Sequence, residues 1–336
     1  MKKWLGRIGL ALVGVVTLVI LTGAGYEVAG RRNAAREFPP RGKLVDIGGR
    51  RIQIDCRGTG TPTVVFESGL DMSGSLSWYG VHDSIAKNTR ACAYSRAGIM
   101  WSDPAPGAQS GKSIANDLHA TLNKAGEQPP YVFVAHSLGG PYAMIYTKYF
   151  PSEVAGMVLV DASHPDQVER TRSLTSWTLD EGMAPARKAA PLARLGIVRK
   201  LTAADSAPPQ PAYAARATAA YIPTSLAGML KEVDAFSATL AEAGTLRSLG
   251  DRPLFVLSAT KPKPASDLAD MRMTAAQGAE YQARWVQMHN EEASWSSRSQ
   301  HQLVPESGHY IQFEKPAVVI AAVRSVIDSV RATTKR

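Results

Sequence analysis

The 336-residue chain lacks most of the residue patterns that mark the cofactor- and metal-dependent classes. Its two cysteines are too few for a disulfide-stapled scaffold or a four-cysteine zinc site. No H-E-x-x-H pair occurs, and no glycine-rich dinucleotide fingerprint. Gly111-Lys112-Ser113 resembles the end of a phosphate-binding loop, but Pro106 stands where the motif needs its first glycine, and no strand immediately precedes it. No internal repeat is present. Charge is also scarce where a nucleic-acid surface would need it. The formal net charge is +9, of which residues 1–51 carry +7, so the remaining chain is nearly neutral. A duplex-binding domain would cluster its Lys and Arg on the folded body, and that class is excluded.

What is present is a globular composition, 45% hydrophobic and 20% charged, at a length that suits one large α/β domain carrying an insertion. Lys2, Lys3 and Arg7 precede an uncharged apolar run from Ile8 to Tyr26. Its span of about 28 Å as a helix is close to one bilayer core. The run is apolar on all sides, which disfavours a core helix of a globular body. It reads as a retained membrane anchor or a cleaved signal segment. Thr22-Gly23-Ala24 fits a cleavage site poorly. Arg31, Arg32, Arg36, Arg41 and Lys43 follow it and would favour the cytoplasm for the downstream side, but long domains cross membranes largely regardless of such charges. The expectation is an exported domain, either held by this segment or secreted once it is cleaved.

Beyond Lys43, short β-rich runs alternate with helical patterns. Leu44–Ile47 and Arg51–Cys56 flank Gly48-Gly49, a hairpin signal. TVVFE at 63–67, ACAYS at 91–95, YVFVAH at 131–136, VAGMVLV at 154–160, PLFVLS at 253–258 and HQLVP at 301–305 follow. Several are continuously apolar, as in parallel strands covered on both faces. The alternation predicts a mostly parallel, doubly wound sheet. From about Pro165 to Gly250 there is no strand pattern, and so long an interruption is best read as an inserted helical cap. Pro208, Pro209 and Pro211 suggest a hinge-like stretch inside it. The resulting division is a membrane or signal segment at 1–30, a basic linker at 31–42, core at 43–164, cap at 165–250 and core again at 251–336.

Between the YVFVAH strand and the next helix lies Ala135-His136-Ser137-Leu138-Gly139. A nucleophilic serine on a sharp strand-to-helix turn needs small residues two positions before and two after, or strand and helix collide. Ala135 and Gly139 meet that demand, although Ala replaces the usual first glycine. The same turn places the Leu138 N–H at a helix N-terminus, where an oxyanion would form.

With this motif between a strand and a helix, and the strand order above, the chain resembles the α/β-hydrolase superfamily over roughly residues 43–336, the cap excepted. The resemblance implies a Ser…acid…His triad at the C-terminal edge of the sheet. It places the general base at His309, in Ser307-Gly308-His309-Tyr310, after the last strand. His136 is adjacent to Ser137 but belongs to the opposite face of its strand. His82, His119, His289 and His301 read as surface or packing residues, and His164 as a residue that could line the pocket. For the acid, family members most often use the loop after the strand matching 253–258, where Asp267 is the candidate. Others use the end of the preceding strand, where Asp161 follows VLV directly. Asp161 is favoured and Asp267 kept as the alternative.

The resemblance also assigns the second oxyanion donor to Leu70, in Glu67-Ser68-Gly69-Leu70-Asp71, and reads 94–103 (YSRAGIMWSD) as a structural loop in which Arg96 has no catalytic role. It brings the strands of Cys56 and Cys92 side by side, so these are either bridged or two buried thiols. The function implied is cofactor-independent hydrolysis of a small-molecule ester through an acyl-enzyme on Ser137. Acyl transfer or carbon–carbon bond hydrolysis on the same triad, and a silent ligand-binding protein, are the alternatives. A serine at this position argues against relatives that use Asp there, the haloalkane dehalogenases and epoxide hydrolases.

Overall fold

The computed structural model describes residues 2–202 and 210–334. Pro208 and Pro209 of the suggested hinge fall outside the described residues. Pro211 stands at the start of a long helix.

The sheet is built from β1 (Lys43–Asp46), β2 (Arg51–Arg57), β3 (Thr63–Glu67), β4 (Ala91–Ser95), β5 (Tyr131–His136), β6 (Val154–Val160), β7 (Leu254–Ala259) and β8 (Ser299–Val304). Its spatial order is β1-β2-β4-β3-β5-β6-β7-β8. β1, β2 and β4 pair antiparallel; from β4 to β8 every pairing is parallel. This is an α/β-hydrolase fold. The β1–β2 hairpin turns through Gly48 and Gly49, both at positive φ (111° and 88°), where residues with a Cβ are strained. Asp46 Oδ1 accepts from both glycine N–H groups, 2.8 Å each.

Helices cover both faces: α2 (Tyr79–Ala86), α3 (Gly111–Ala125), α4 (Gly139–Tyr149) and, after the last strand, α12 (Ile311–Glu314) and α13 (Pro316–Thr334). The period-two geometry of β5 divides its side chains between two cores. Tyr131, Phe133 and Ala135 pack with Leu118, Leu122 and Tyr146 on one face; Val132 and Val134 pack with Trp78, Val81, Val323 and Ile327 on the other. All of these are buried, which is why β5 carries no polar alternation.

Between β6 and β7 the chain makes a helical excursion: α5 (Gln167–Thr171), α6 (Leu179–Ala189), a 3₁₀ turn (Ala190–Leu195), α7 (Ile197–Leu201), α8 (Ala212–Asp234) and α9 (Phe236–Ala243). Before β8 come α10 (Ala265–Asp270) and α11 (Ala275–Ser294).

The first helix, α1, runs from Lys2 to Glu37. It therefore continues through 31–37, which the sequence suggested as linker. Gly and Pro are absent from 31–38, Glu27 pairs with Arg31 one turn on (2.9 Å), and Pro39-Pro40 supply the stop. Residues 7–22 are exposed, and the helix is long and apolar enough to cross a membrane (mean hydropathy 2.3). Its second half docks on the excursion. Gly23 and Gly30 lie so close to Leu195 O and the Arg199 side chain that a Cβ at either would clash, and buried Glu27 accepts from Arg199 Nε (2.8 Å) and Nη2 (3.0 Å).

The Cys56 and Cys92 sulfurs are bonded, on a directly paired β2–β4 register, 36 residues apart in the chain.

Candidate active site

Ser137 is the first residue after β5 and Asp161 the first after β6. His136 and Val160 form the last matched pair of those strands, so both residues leave the sheet at the same edge. Each sits at positive φ, 52° for Ser137 and 44° for Asp161, a conformation that costs a non-glycine residue of order 1–3 kcal/mol. The turn at Ser137 is held by Gly140 N–H on Ser137 O (3.0 Å) and Ser163 N–H on the same carbonyl (2.9 Å). The size rule read from the sequence has a visible cause. A Cβ on Gly139 would lie 2.5 Å from Glu67 O, and one on Gly140 would lie 2.7 Å from the Ala162 Cβ.

His309, on the loop between β8 and α12, reaches over this edge. Its Nε2 lies 2.9 Å from Ser137 Oγ and its Nδ1 2.6 Å from Asp161 Oδ2. Asp161 is 3% exposed, and its Oδ1 accepts from the Ala259 N–H at 2.9 Å. Burial pushes its pKa up, but the hydrogen bond and charge of His309, with His289 and the Ala259 N–H, outweigh this and hold it below the usual carboxylate range. A charged Asp161 accepts a hydrogen bond from the His309 Nδ1–H, which leaves Nε2 to accept from the serine hydroxyl.

Asp267, the alternative acid, is not part of this cluster. It lies exposed on α10, accepts from Ser266 Oγ at 3.1 Å, and is among the residues lining the cavity described below. The Lys261-Pro262-Lys263-Pro264 run separates it from the end of β7.

The remaining histidines are packing residues. His82 is buried against Ala91 O (2.9 Å), and His119 stacks on Phe150 at 3.8 Å. His289 is buried beside Asp161 (Nδ1–Oδ1 4.0 Å), donating from Nε2 to Ala162 O (2.9 Å) and accepting from Ser258 Oγ (2.6 Å), which His301 Nε2 also reaches at 2.6 Å. His164 does not line the cavity. It is fully buried, with Nδ1 accepting from Asp166 N–H at 3.1 Å. With Asp166 and Glu291 it groups three potential metal ligands, but Arg170 and Arg247 already bind both carboxylates.

His136 has a role that strand alternation hides. Turned away from the serine hydroxyl, its Nε2 donates to the backbone oxygen of His309 at 2.9 Å and so holds the loop that carries the imidazole. Burial, then the nearby His309 charge, lowers its pKa to about 3, so it stays a neutral donor.

The segment after β3 closes the site from the other side. A Cβ on Gly69 would lie 2.9 Å from Ser137 Cβ and 3.0 Å from His136 Nδ1, so only glycine allows this approach. The N–H groups of Leu70 and Leu138 have no acceptor among the described residues. Behind the loop lies a buried charged cluster of Glu67, Arg96 and Glu232. Burial pushes Glu67 up to about 7, against the pull of Arg96.

Over Ser137 opens a cavity of about 1030 Å³. Its apolar lining comes from Leu70, Leu138, Val168, Trp177, Val233, Phe236 and Trp285. Its charged side chains include Arg172, Asp180, Lys261, Lys263 and Glu314. Much of the wall belongs to the excursion between β6 and β7.

A family model described as "alpha/beta hydrolase fold" matches residues 62–316. Among solved structures, a thermophilic esterase from Thermogutta terrifontis is 19% identical, with a TM-score of 0.57 over 86% of this chain and 98% of that one. An esterase from Exiguobacterium antarcticum is 15% identical, with a TM-score of 0.61 over 85% and 98%. An uncharacterized Bacillus subtilis protein is 25% identical over 166 residues, 49% of this chain and 51% of that protein. The chain spans between 18% and 51% of the length of the curated relatives it matches. Fold, strand order and a family match over most of the sequence agree: the chain belongs to the α/β-hydrolase family.

Proposed function

We propose that the protein is a cofactor-independent serine esterase, in which Ser137 is the nucleophile, His309 the general base and then acid, and Asp161 the carboxylate that orients it. The observation that carries this reading is the continuous Ser137–His309–Asp161 hydrogen-bond chain, 2.9 and 2.6 Å, at the floor of an apolar cavity. Ser137 Oγ attacks the ester carbonyl while its proton passes to His309 Nε2. The Leu70 and Leu138 N–H groups receive the oxyanion; loss of one such donor typically lowers kcat by about 10²–10³. The imidazolium protonates the departing alkoxide, and water, deprotonated by the same ring, releases the acid.

The substrate class we infer is a small to medium carboxylic ester with an apolar acyl group. Val168, Trp177, Val233, Phe236 and Trp285 offer it apolar surface, and about 1030 Å³ is at the upper end of ordinary ligand pockets. The region 165–250 acts as a cap over the core formed by 43–164 and 251–336. We further propose that α1 anchors the protein in a membrane with the hydrolase on the exported side, a reading supported by its exposed apolar half and the Cys56–Cys92 bond.

The test is a fluorophosphonate probe and a panel of p-nitrophenyl esters of increasing acyl length, on the full chain in detergent. Labelling at Ser137 and loss of turnover in Ser137→Ala, by about 10⁶ as in comparable triads, are expected. A folded protein that is neither labelled nor active on any ester would point to a binding module on this fold.

A further inference from the structure

Arg96, on the loop after β4, is fully enclosed, and all five of its N–H donors are engaged. Nε and Nη2 hold the Glu232 carboxylate of α8, 2.9 Å each. Nη1 holds Glu67 Oε1 and Ser68 O, both at 2.8 Å, and Nη2 also holds Gly69 O at 2.6 Å. The guanidinium stacks over Tyr142 at 5.0 Å, and Tyr142 Oη donates to Glu232 (3.4 Å). A planar fork with five fixed donors suits this site; a lysine ammonium, with three donors at one point, does not.

The Gly69 carbonyl belongs to the same planar peptide as the Leu70 N–H, and in a trans peptide the two point in opposite directions. Fixing the oxygen against Arg96 therefore fixes where the Leu70 N–H points. A charge-assisted bond to that oxygen also polarises the peptide and strengthens its N–H as a donor. At its other end Arg96 is tied to Glu232, beside Val233 and four residues before Phe236, both of which line the cavity.

We propose that Arg96 is a positioning residue that aims and polarises the Gly69–Leu70 peptide as an oxyanion donor, and that Glu232 makes this depend on α8 being seated. The inference rests on the esterase reading above. It predicts that cap and oxyanion hole form one unit, so that cap helix α8 influences the chemical step as well as substrate fit.

The experiment compares wild type, Arg96→Lys and Glu232→Gln, each as full chain in detergent. It measures p-nitrophenyl butyrate kinetics and inhibition by a trifluoromethyl ketone, whose serine hemiketal carries an oxyanion. A misaimed donor should lower kcat by about 10- to 100-fold with KM within about two-fold, and weaken the ketone by a matching factor. Glu232→Gln, nearly isosteric and leaving the Glu67 pair intact, should show the same pattern more mildly, and it decides the question if Arg96→Lys does not fold. Folded variants with unchanged kcat and ketone affinity, or with a raised KM alone, would overturn the proposal. Wild-type labelling of Ser137 by fluorophosphonate in the same series separates the two levels. Labelled, active wild type with unaffected variants removes only the role of Arg96; unlabelled, inactive wild type removes the esterase reading and this inference with it.

Discussion

Replacing Asp161 with Asn tests the site at its most determinate point. The carboxylate accepts two hydrogen bonds from fixed donors, the Ala259 N–H at 2.9 Å and His309 Nδ1–H at 2.6 Å. An amide of the same shape has one acceptor oxygen. If that oxygen keeps Ala259, the NH₂ faces His309 Nδ1 and the ring adopts the Nε2–H tautomer, which cannot take the Ser137 proton. If it keeps His309, the NH₂ opposes the buried Ala259 N–H at about 1–3 kcal/mol, and no charge remains to stabilise the imidazolium. The imidazole can change tautomer and the backbone N–H cannot, so the first arrangement is favoured. Loss of the correct tautomer in a serine protease lowers kcat by about 10⁴, and a fall of 10³–10⁴ is expected here. The assay is p-nitrophenyl butyrate hydrolysis near pH 7.5, with Asp267→Asn in parallel and a thermal melt on both. Asp267 is exposed and outside the cluster, so its variant should stay within about three-fold of wild type. A folded Asp161→Asn protein within ten-fold of wild type, or the large loss appearing in Asp267→Asn instead, would refute the assignment.

Three further expectations concern stability. Reducing the Cys56–Cys92 bond reopens a 36-residue separation and should cost about 3–4 kcal/mol by loop entropy; unchanged urea midpoints with and without reductant would contradict it. His136, lowered to about 3 by burial and the His309 charge, is neutral when folded but takes a proton near pH 6.5 when unfolded. Its contribution is therefore complete above pH 6.5 and shrinks as pH falls towards 3, by about 2 kcal/mol at pH 5. The urea-measured penalty of His136→Asn should accordingly be about 2 kcal/mol smaller at pH 5 than at pH 7.5, and an equal penalty at both would refute the linkage. Because Ser137 sits at φ 52°, Ser137→Gly should be more stable than Ser137→Ala by about 0.5–1 kcal/mol in thermal or urea melts. An alanine variant at least as stable would show that the turn is unstrained.

The sequence exposes those parts of the molecule whose causes are local. Continuous apolar runs at β3, β5 and β6 reveal strands covered on both faces, and Ala135 and Gly139 around Ser137 reveal a turn that tolerates no bulk. Asp161 is legible because it follows VLV without a gap and so falls at the sheet edge beside Ser137. Asp267 stands eight residues beyond the end of β7, with two prolines between, and nothing in that stretch returns it to the edge. The parts that stay hidden depend on contacts between distant positions. Glu232 lies 136 residues from Arg96, and no periodicity of α8 marks it as the partner of a buried guanidinium. His136 is set aside by strand alternation for the same geometric reason that lets it grip the His309 backbone. His164 shows the opposite error: nearness to Asp161 in the chain suggested the pocket, but its side chain is fully buried and does not line the cavity.

The hidden contacts share a direction. The proposed serine, acid and histidine stand at the ends of β5 and β6 and on the loop after β8, and no residue of the excursion between β6 and β7 takes part in their hydrogen-bond chain. The Leu70 peptide is different. It lies on a loop whose carbonyl oxygens at Ser68 and Gly69 are held by Arg96, and two of that guanidinium's five donors are spent on α8. On the proposed assignment, nucleophile and base are set by the core, whereas one oxyanion donor is set jointly by core and excursion. Substitutions along the Val233–Phe236 wall that shift α8 should therefore alter kcat as well as KM, whereas those at Trp177 or Val168, which have no link to Arg96, should act through KM alone.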